Sequence, residues 1–366
     1  MKRSTPLIAA LLVFSDISFA QVSTIPVGFN TATITPAVDA STPKGTVVSA
    51  PFYTADSTVF QSTVSSLDST SSFSLAGAAF TASPAAGDLV TVPHLARIKG
   101  GTAASIGRFF KITANTATQV TVDTATQGYT LVSGAPTATQ VQMVVGDSIE
   151  IVTANTFGSL FGTTTGTVPF QQGGSANTAD NVYVWNKVNQ SFDVYFFNSA
   201  LATPAWRKSG NGTSQNNTVI YPNEGMFILR RGTAALTLTF LGTVPSTAER
   251  TDYVGPSSSL VNSRFPVDMI FKGAGTNALN LQSLPNWLGS SSANTSDNVY
   301  LWNIANQAWD VYFYNSTLAT PAWRKSGNGT SQDATVIPLG SAMFILRRST
   351  ATGTASTLAE ALPYGL

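Results

Sequence analysis

The residues best equipped for recognition chemistry are Trp206-Arg207-Lys208 and Trp323-Arg324-Lys325. They lie inside the run LATPAWRKSGNGTSQ at Leu201–Gln215, which returns unchanged at Leu318–Gln332. An indole beside a guanidinium could stack on a sugar ring while the N–H groups donate to hydroxyls or a carboxylate. In the structural alternative each Trp fills a core beneath a hairpin while Arg and Lys flank the turn. These six residues form the candidate ligand-binding set; no catalytic residue and no metal ligand is assigned.

Other chemistries have less to work with. His94 is the one histidine and there is no cysteine, so zinc, copper, haem and iron–sulfur ligation lack their usual donors. A Ser-His-Asp triad would have to use His94, and no G-x-S-x-G elbow surrounds any serine. Calcium could be offered oxygens at Asp180-Asn181 and Asp297-Asn298, but the loop spacing of a calcium hand is missing. No cofactor is expected. Carboxylate-pair hydrolysis could draw on Asp147, Glu150, Asp193 and Asp310. Asp193 and Asp310 occupy equivalent strand positions, which favours a hydrogen-bonding role. Arg230-Arg231 and Arg347-Arg348 end apolar strands and are expected to be solvated or to pair with Asp193 and Asp310.

A longer block, Asp180–Arg231, recurs as Asp297–Arg348 at a constant offset of 117 with no gap. Loop lengths recur with the side chains, so the block reads as a structural unit. Within it NVYVW and FDVYFF alternate with period two around a short turn, and Asn211-Gly212 predicts a type I′ hairpin turn. Upstream, GFNTATI, GTVVSAPFY, DLVTVP, RFFKIT and QVTVD are short β-branched or aromatic runs separated by polar turns, with no sustained helical period. The fold class is therefore all-β, with β-sandwich or barrel-like domains and an internal tandem repeat in the C-terminal half. The expected divisions are a signal peptide at 1–20, an N-terminal β domain at 21–145, repeat units at 146–244 and 245–350, and a frayed low-complexity tail at 351–366.

The start MKRSTP, the apolar run Leu7–Phe14 and Ser18-Phe19-Ala20 before Gln21 match a secretory signal. Its removal would take away Lys2, Arg3 and Asp16, leaving 17 cationic and 17 anionic side chains. A chain with 10% charged residues and a net charge of +1 lacks the basic footprint that nucleic acid requires. No later run is long and apolar enough for a transmembrane helix.

The signal, PVGF at Pro26–Phe29, APFY at Ala50–Tyr53, the stretch from GDSIEIV to TFGSLFG (Gly146–Gly162), DNVYVWN, AWRKSG and MFILRR together carry a resemblance. The chain resembles an uncharacterised family of secreted bacterial β-rich proteins of unknown function. The resemblance implies export and a β fold and brings no site residues with it. The first functional reading is an exported, non-enzymatic structural or surface/matrix protein of the cell envelope or extracellular space that contacts itself or a cell-surface glycan. The second is a carbohydrate-binding protein using the duplicated Trp-Arg-Lys loops, and the third a carboxylate-dependent glycoside hydrolase.

Overall fold

The computed structural model describes residues 26–39, 41–54, 58–126, 129–137, 140–246, 249–254, 256–262, 265–348, 355–360 and Pro363. The expected signal peptide lies outside them. The described chain is nearly all β; its helical content is Phe157–Phe161, opened by a Thr156–Ser159 capping box, and a single turn at Leu281–Ser283.

Six strands close into a barrel in the order Ser148–Thr153, Thr58–Leu67, Ser72–Leu75, Gln119–Val122, Phe109–Asn115, His94–Gly100. Alternation puts Ala96, Ile98, Phe110, Ile112, Val120, Val122, Ile149 and Ile151 inside, where they fill the lumen with Phe73, Leu75 and Met143. Six strands leave no room for a channel, so the interior is a packed core. The opposite parity of the same strands turns Leu95, Phe109 and Val152 to the outer wall, where they are buried against Tyr53, Ala154 and Val219.

Two five-stranded antiparallel sheets account for most of the remainder. The first runs Ala205–Lys208, Ser191–Asn198, Asn181–Asn186, Gly225–Arg230, Lys44–Ser49; the second runs Ala322–Lys325, Ala308–Asn315, Asn298–Asn303, Met343–Arg347, Ser257–Val261. Their registers match: Val182 faces Tyr195 as Val299 faces Tyr312, and Val184 faces Met226 as Leu301 faces Met343. Each sheet buries one face in its own core, the first around Val182, Phe197, Trp206 and Ile228, the second around Val299, Trp323 and Ile345. A two-stranded ribbon, Val27–Ile34 with Leu236–Thr243, covers the first core with Ile34, Leu236, Leu238 and Phe240.

Sequence order and spatial order part company in the first sheet. Its edge strand Lys44–Ser49 precedes the barrel, whereas the other four strands follow it, so the barrel is inserted into this unit. Asn155 ties the neck of the insertion: its Nδ2 donates to the Phe52 carbonyl and its Oδ1 accepts from Thr54 Oγ1, both at 2.9 Å. The boundary expected at 145/146 therefore does not follow the sheets. Ser148–Thr153 closes the barrel, while Val27–Ile34 and Lys44–Ser49 complete the first unit. Short alternating strands carry no mark of which sheet they join, so linear reading merged the insertion with its host. Within the tail expected to fray, 355–360 pairs as a strand with Glu249–Val254.

The remaining faces of the two sheets meet each other through Val47, Leu260 and Ala342 with a girdle of aromatic rings. The contacts are reciprocal. Trp185 Nε1 donates to the Ser258 carbonyl at 2.8 Å, and Trp302 Nε1 to the Gly45 carbonyl at 2.9 Å. Gln190 Oε1 accepts from Ser258 N and Gln307 Oε1 from Gly45 N, both at 2.6 Å. Trp185 lies edge-on to Phe344 at 4.8 Å, and Trp302 edge-on to Phe227 at 4.9 Å. A Cβ on Gly45 would fall 2.3 Å from the Phe227 ring, so the crossing needs glycine there. Both glutamines reach across by adopting left-handed backbone, φ 51° and 50°.

Gln307→Ala strands the Gly45 N–H at this crossing and should cost about 1–3 kcal/mol in equilibrium unfolding. Gln307→Gly loses the same hydrogen bonds but escapes roughly 1 kcal/mol of left-handed backbone cost, so it should be the milder change. A different group gives the crossing a pH response. Burial raises the Glu224 carboxyl above its ordinary value against the opposing pull of Lys187, 3.9 Å away. A carboxyl raised in the folded state favours folding most at low pH and loses that contribution as pH rises through its folded value. Glu224→Gln should therefore raise the unfolding midpoint at neutral pH and lose that advantage in acid.

Candidate functional site

The repeated AWRK strands alternate in the ordinary way, sending Trp and Lys to one face and Arg to the other. Trp206 is fully buried, its ring among Phe157, Phe161, Phe170 and Phe197, and its Nε1 donates to the Gly162 carbonyl at 2.9 Å. Trp323 is likewise fully buried, stacked on Phe271 at 4.8 Å with Nε1 donating to Gln282 Oε1 at 3.0 Å. Neither indole offers a face or an N–H to a ligand, so the aromatic-plate arrangement is absent and each Trp fills a core, as in the structural alternative. The strand takes its inward parity from the core, and a large apolar ring follows the burial available to it.

Lys208 and Lys325 are also engaged. Lys208 Nζ lies 2.8 Å from Asp193 Oδ2 and Lys325 Nζ 2.7 Å from Asp310 Oδ2, while Asn186 and Asn303 each donate to the same carboxylate oxygen at 3.1 Å. The hydrogen bond to Asp310 raises the Lys325 ammonium above its ordinary value. Asp193 and Asp310 thus serve as lysine partners. The arginines expected to reach them go elsewhere: Arg230 Nη1 donates to Asp180, and Arg347 Nε to Asp297 at 2.8 Å, with all four residues buried. Asp180 also accepts from Gln171 N, Arg231 N and Gly232 N, and Asp297 from Leu288 N and Arg348 N. Their oxygens are committed to the fold and not arranged as a calcium loop; among the described residues no three His, Asp or Glu side chains come together as a metal site.

The remaining candidate acids are similarly occupied. Asp147 accepts from Thr102 N, Thr102 Oγ1 and Val144 N. Glu150 accepts from Thr58 Oγ1 at 2.7 Å and faces Arg97 and Lys99, both at 3.3 Å. Burial pushes the Glu150 carboxyl up, but Thr58 and the two cations outweigh it and hold it below its ordinary value. Arg97 also meets Glu249 at 2.6 Å and lies over the Tyr53 ring at 4.9 Å, joining the barrel wall to its host. His94 is buried with Nδ1 3.2 Å from the Leu89 carbonyl.

Arg207 and Arg324 differ from these groups. Each donates Nη1 to a carbonyl in its own loop, Gly212 or Gly329, and neither meets a carboxylate among the described residues. The loop itself departs from the expected type I′ turn. Asn211 N bonds the Lys208 carbonyl at 2.9 Å across Ser209-Gly210, and the left-handed residue is Gly210, φ 79°. The Asn211 side chain instead accepts from Thr213 N and Oγ1, an alternative that asparagine offers its own backbone.

Arg324 opens into a surface cleft of about 350 Å³ between the Ser326–Gly329 loop and the turn at Ser292–Asn294, over Phe313 and Asn315. Among the described residues no acidic one lines it. The Ser292–Asn294 turn was missed in the sequence although a signal existed, since Ser175-Ala176-Asn177-Thr178 precedes Asp180 at the same 117-residue offset. Comparison with protein-family models, curated protein sequences and solved structures gives no match to this chain.

Trp206→Ala and Trp323→Ala should each lower unfolding free energy by about 3–5 kcal/mol through the cavity left behind. Denaturant melts would show it. Loss of no more than a few tenths would mean the rings are not core.

Proposed function

We propose that the chain is an exported, non-enzymatic structural β protein of the cell surface or extracellular matrix, working through association with its own copies. One observation carries the reading: the side chains that could do chemistry are spent on architecture. Both repeated tryptophans sit in cores, and Asp147, Glu150, Asp193 and Asp310 are each held by backbone N–H groups, hydroxyls, amides or cations. A carboxylate-pair hydrolase needs two acids facing across a cleft, and the cleft at Arg324 has none. The signal-like N-terminus, the low charge and the resemblance to secreted β-rich proteins support the location.

Self-association is supported by the ribbon. Phe29 and Leu241 are direct cross-strand partners, 68% and 61% exposed, with Val27 beside them at 58%. Beyond the single Tyr53–Thr243 bridge, neither outer edge pairs with another described strand. Open strand edges beside exposed apolar side chains favour pairing with a second chain. Glycan contact is the second reading, and what favours it is the acid-free cleft rather than the tryptophans.

Sedimentation velocity across a concentration series should show reversible assembly of the parent protein, and Phe29→Thr with Leu241→Thr should shift it towards monomer without lowering the melting temperature. A strictly monomeric parent that adheres to neither cells nor polysaccharide would overturn the proposal.

A further inference from the structure

We infer that the cleft at Arg324, together with the matching residues around Arg207, forms two binding sites for the acidic group of a glycan, a uronate carboxylate or a sulfate ester. The inference deepens the glycan-contact reading above and rests on it for the polymer, while the charge preference comes from the cleft itself.

The argument begins with charge. Lys325, the neighbouring cation, is neutralised by Asp310 at 2.7 Å, and no acid lines the cleft. The Arg324 guanidinium therefore carries its charge without an anionic partner among the described residues. Its one hydrogen bond among the described residues, Nη1 to the Gly329 carbonyl, fixes the side chain across the loop. A guanidinium has five N–H donors in a rigid fork, so most remain to be used. A planar fork held in place matches the two oxygens of a carboxylate or sulfate and loses little rotamer freedom on binding.

The walls suit a sugar more than a free ion. Ser292, Asn294, Asn315 and Asn328 line the cleft with the arginine; Asn315 Oδ1 and Asn328 Oδ1 are taken by Thr317 and Thr330, so the amide N–H groups are what these two asparagines can offer to ring hydroxyls. Phe313, 8% exposed, contributes little stacking surface, so recognition should be electrostatic and sensitive to salt.

Twelve of the thirteen lining positions carry the same residue in the first copy, the exception being Gly174 in place of Ser291. The core beneath is less alike: Phe170 stands where Trp287 packs, and Gly162 O supplies the indole acceptor that Gln282 provides in the second copy. The lining thus matches more closely than the core that supports it, as expected if a ligand constrains the surface. Two weak sites on one chain can hold a polymer by avidity, each raising the local concentration of the other.

Binding of the full protein to immobilised polygalacturonate, dextran sulfate and neutral dextran tests this, using Arg207→Gln, Arg324→Gln, their double variant and a charge-matched control, Lys44→Gln with Lys111→Gln. At low salt the parent should hold at least one acidic polymer and not neutral dextran. Each single variant should weaken binding about tenfold or more through lost avidity, and the double variant should abolish it with an unchanged melting temperature. The charge-matched control should stay within about twofold. Preference between the two acidic polymers identifies the group recognised. Loss in the control equal to that in the double variant would reduce the effect to net charge and overturn the inference. Arginine-independent binding to neutral dextran would overturn it while sparing glycan contact. Binding to no polymer would overturn both, leaving the structural reading to stand on its sedimentation behaviour.

Discussion

The constraint on which the structure turns is the open edge of a β-sheet. Each five-stranded sheet ends in a short strand, Lys44–Ser49 or Ser257–Val261, whose outer N–H and carbonyl groups must be satisfied. The chain meets this need with side chains from the opposite sheet: a glutamine amide accepts from the backbone N–H and an indole donates to the carbonyl, once in each direction. The two sheets close each other's edges and form the arrangement that an isologous dimer makes between separate chains. The left-handed backbone at Gln190 and Gln307 is the local strain that this closure tolerates.

Buried ions set the limits of the units so joined. Asp180 with Arg230 and Asp297 with Arg347 lock the first strand of each recurring block to its last, gathering backbone N–H groups as well as guanidinium. Buried pairs add less stability than their geometry suggests, because desolvation offsets much of the attraction. Breaking one leaves an uncompensated charge, so the pairs penalise any register in which these strand ends fail to meet. Arg97 acts similarly where the barrel wall meets its host, among Glu150, Glu249 and Tyr53.

The β class and the strands of the recurring block could be read from the sequence, because period-two alternation and a gapless 117-residue offset are local properties. The barrel insertion could not, since which strand pairs with which depends on contacts far apart along the chain. The two alternatives for Trp206 and Trp323 stayed open for a similar reason: an indole beside Arg and Lys looks the same in sequence whether it faces solvent or a core. Alternation alone put Trp and Arg on opposite faces, and only packing decided which face was inward. Arg207 and Arg324 stood out because the run around them repeats, but the serine and asparagine turn beside them did not, because it lies just ahead of the Asp180–Arg231 block.

The insertion also bears on the order in which the molecule can assemble. Val261 meets Met343 across 82 residues, whereas Val48 must wait for Met226, 178 residues later, with the whole barrel between them. Strand pairs of greater sequence separation incur a larger loop-closure cost before any contact repays it. A barrel that folds on its own shortens that loop to the span of its neck, which Asn155 holds closed against Phe52 and Thr54. The barrel would then act as a built-in staple for the host sheet, turning a distant strand pairing into a nearly local one.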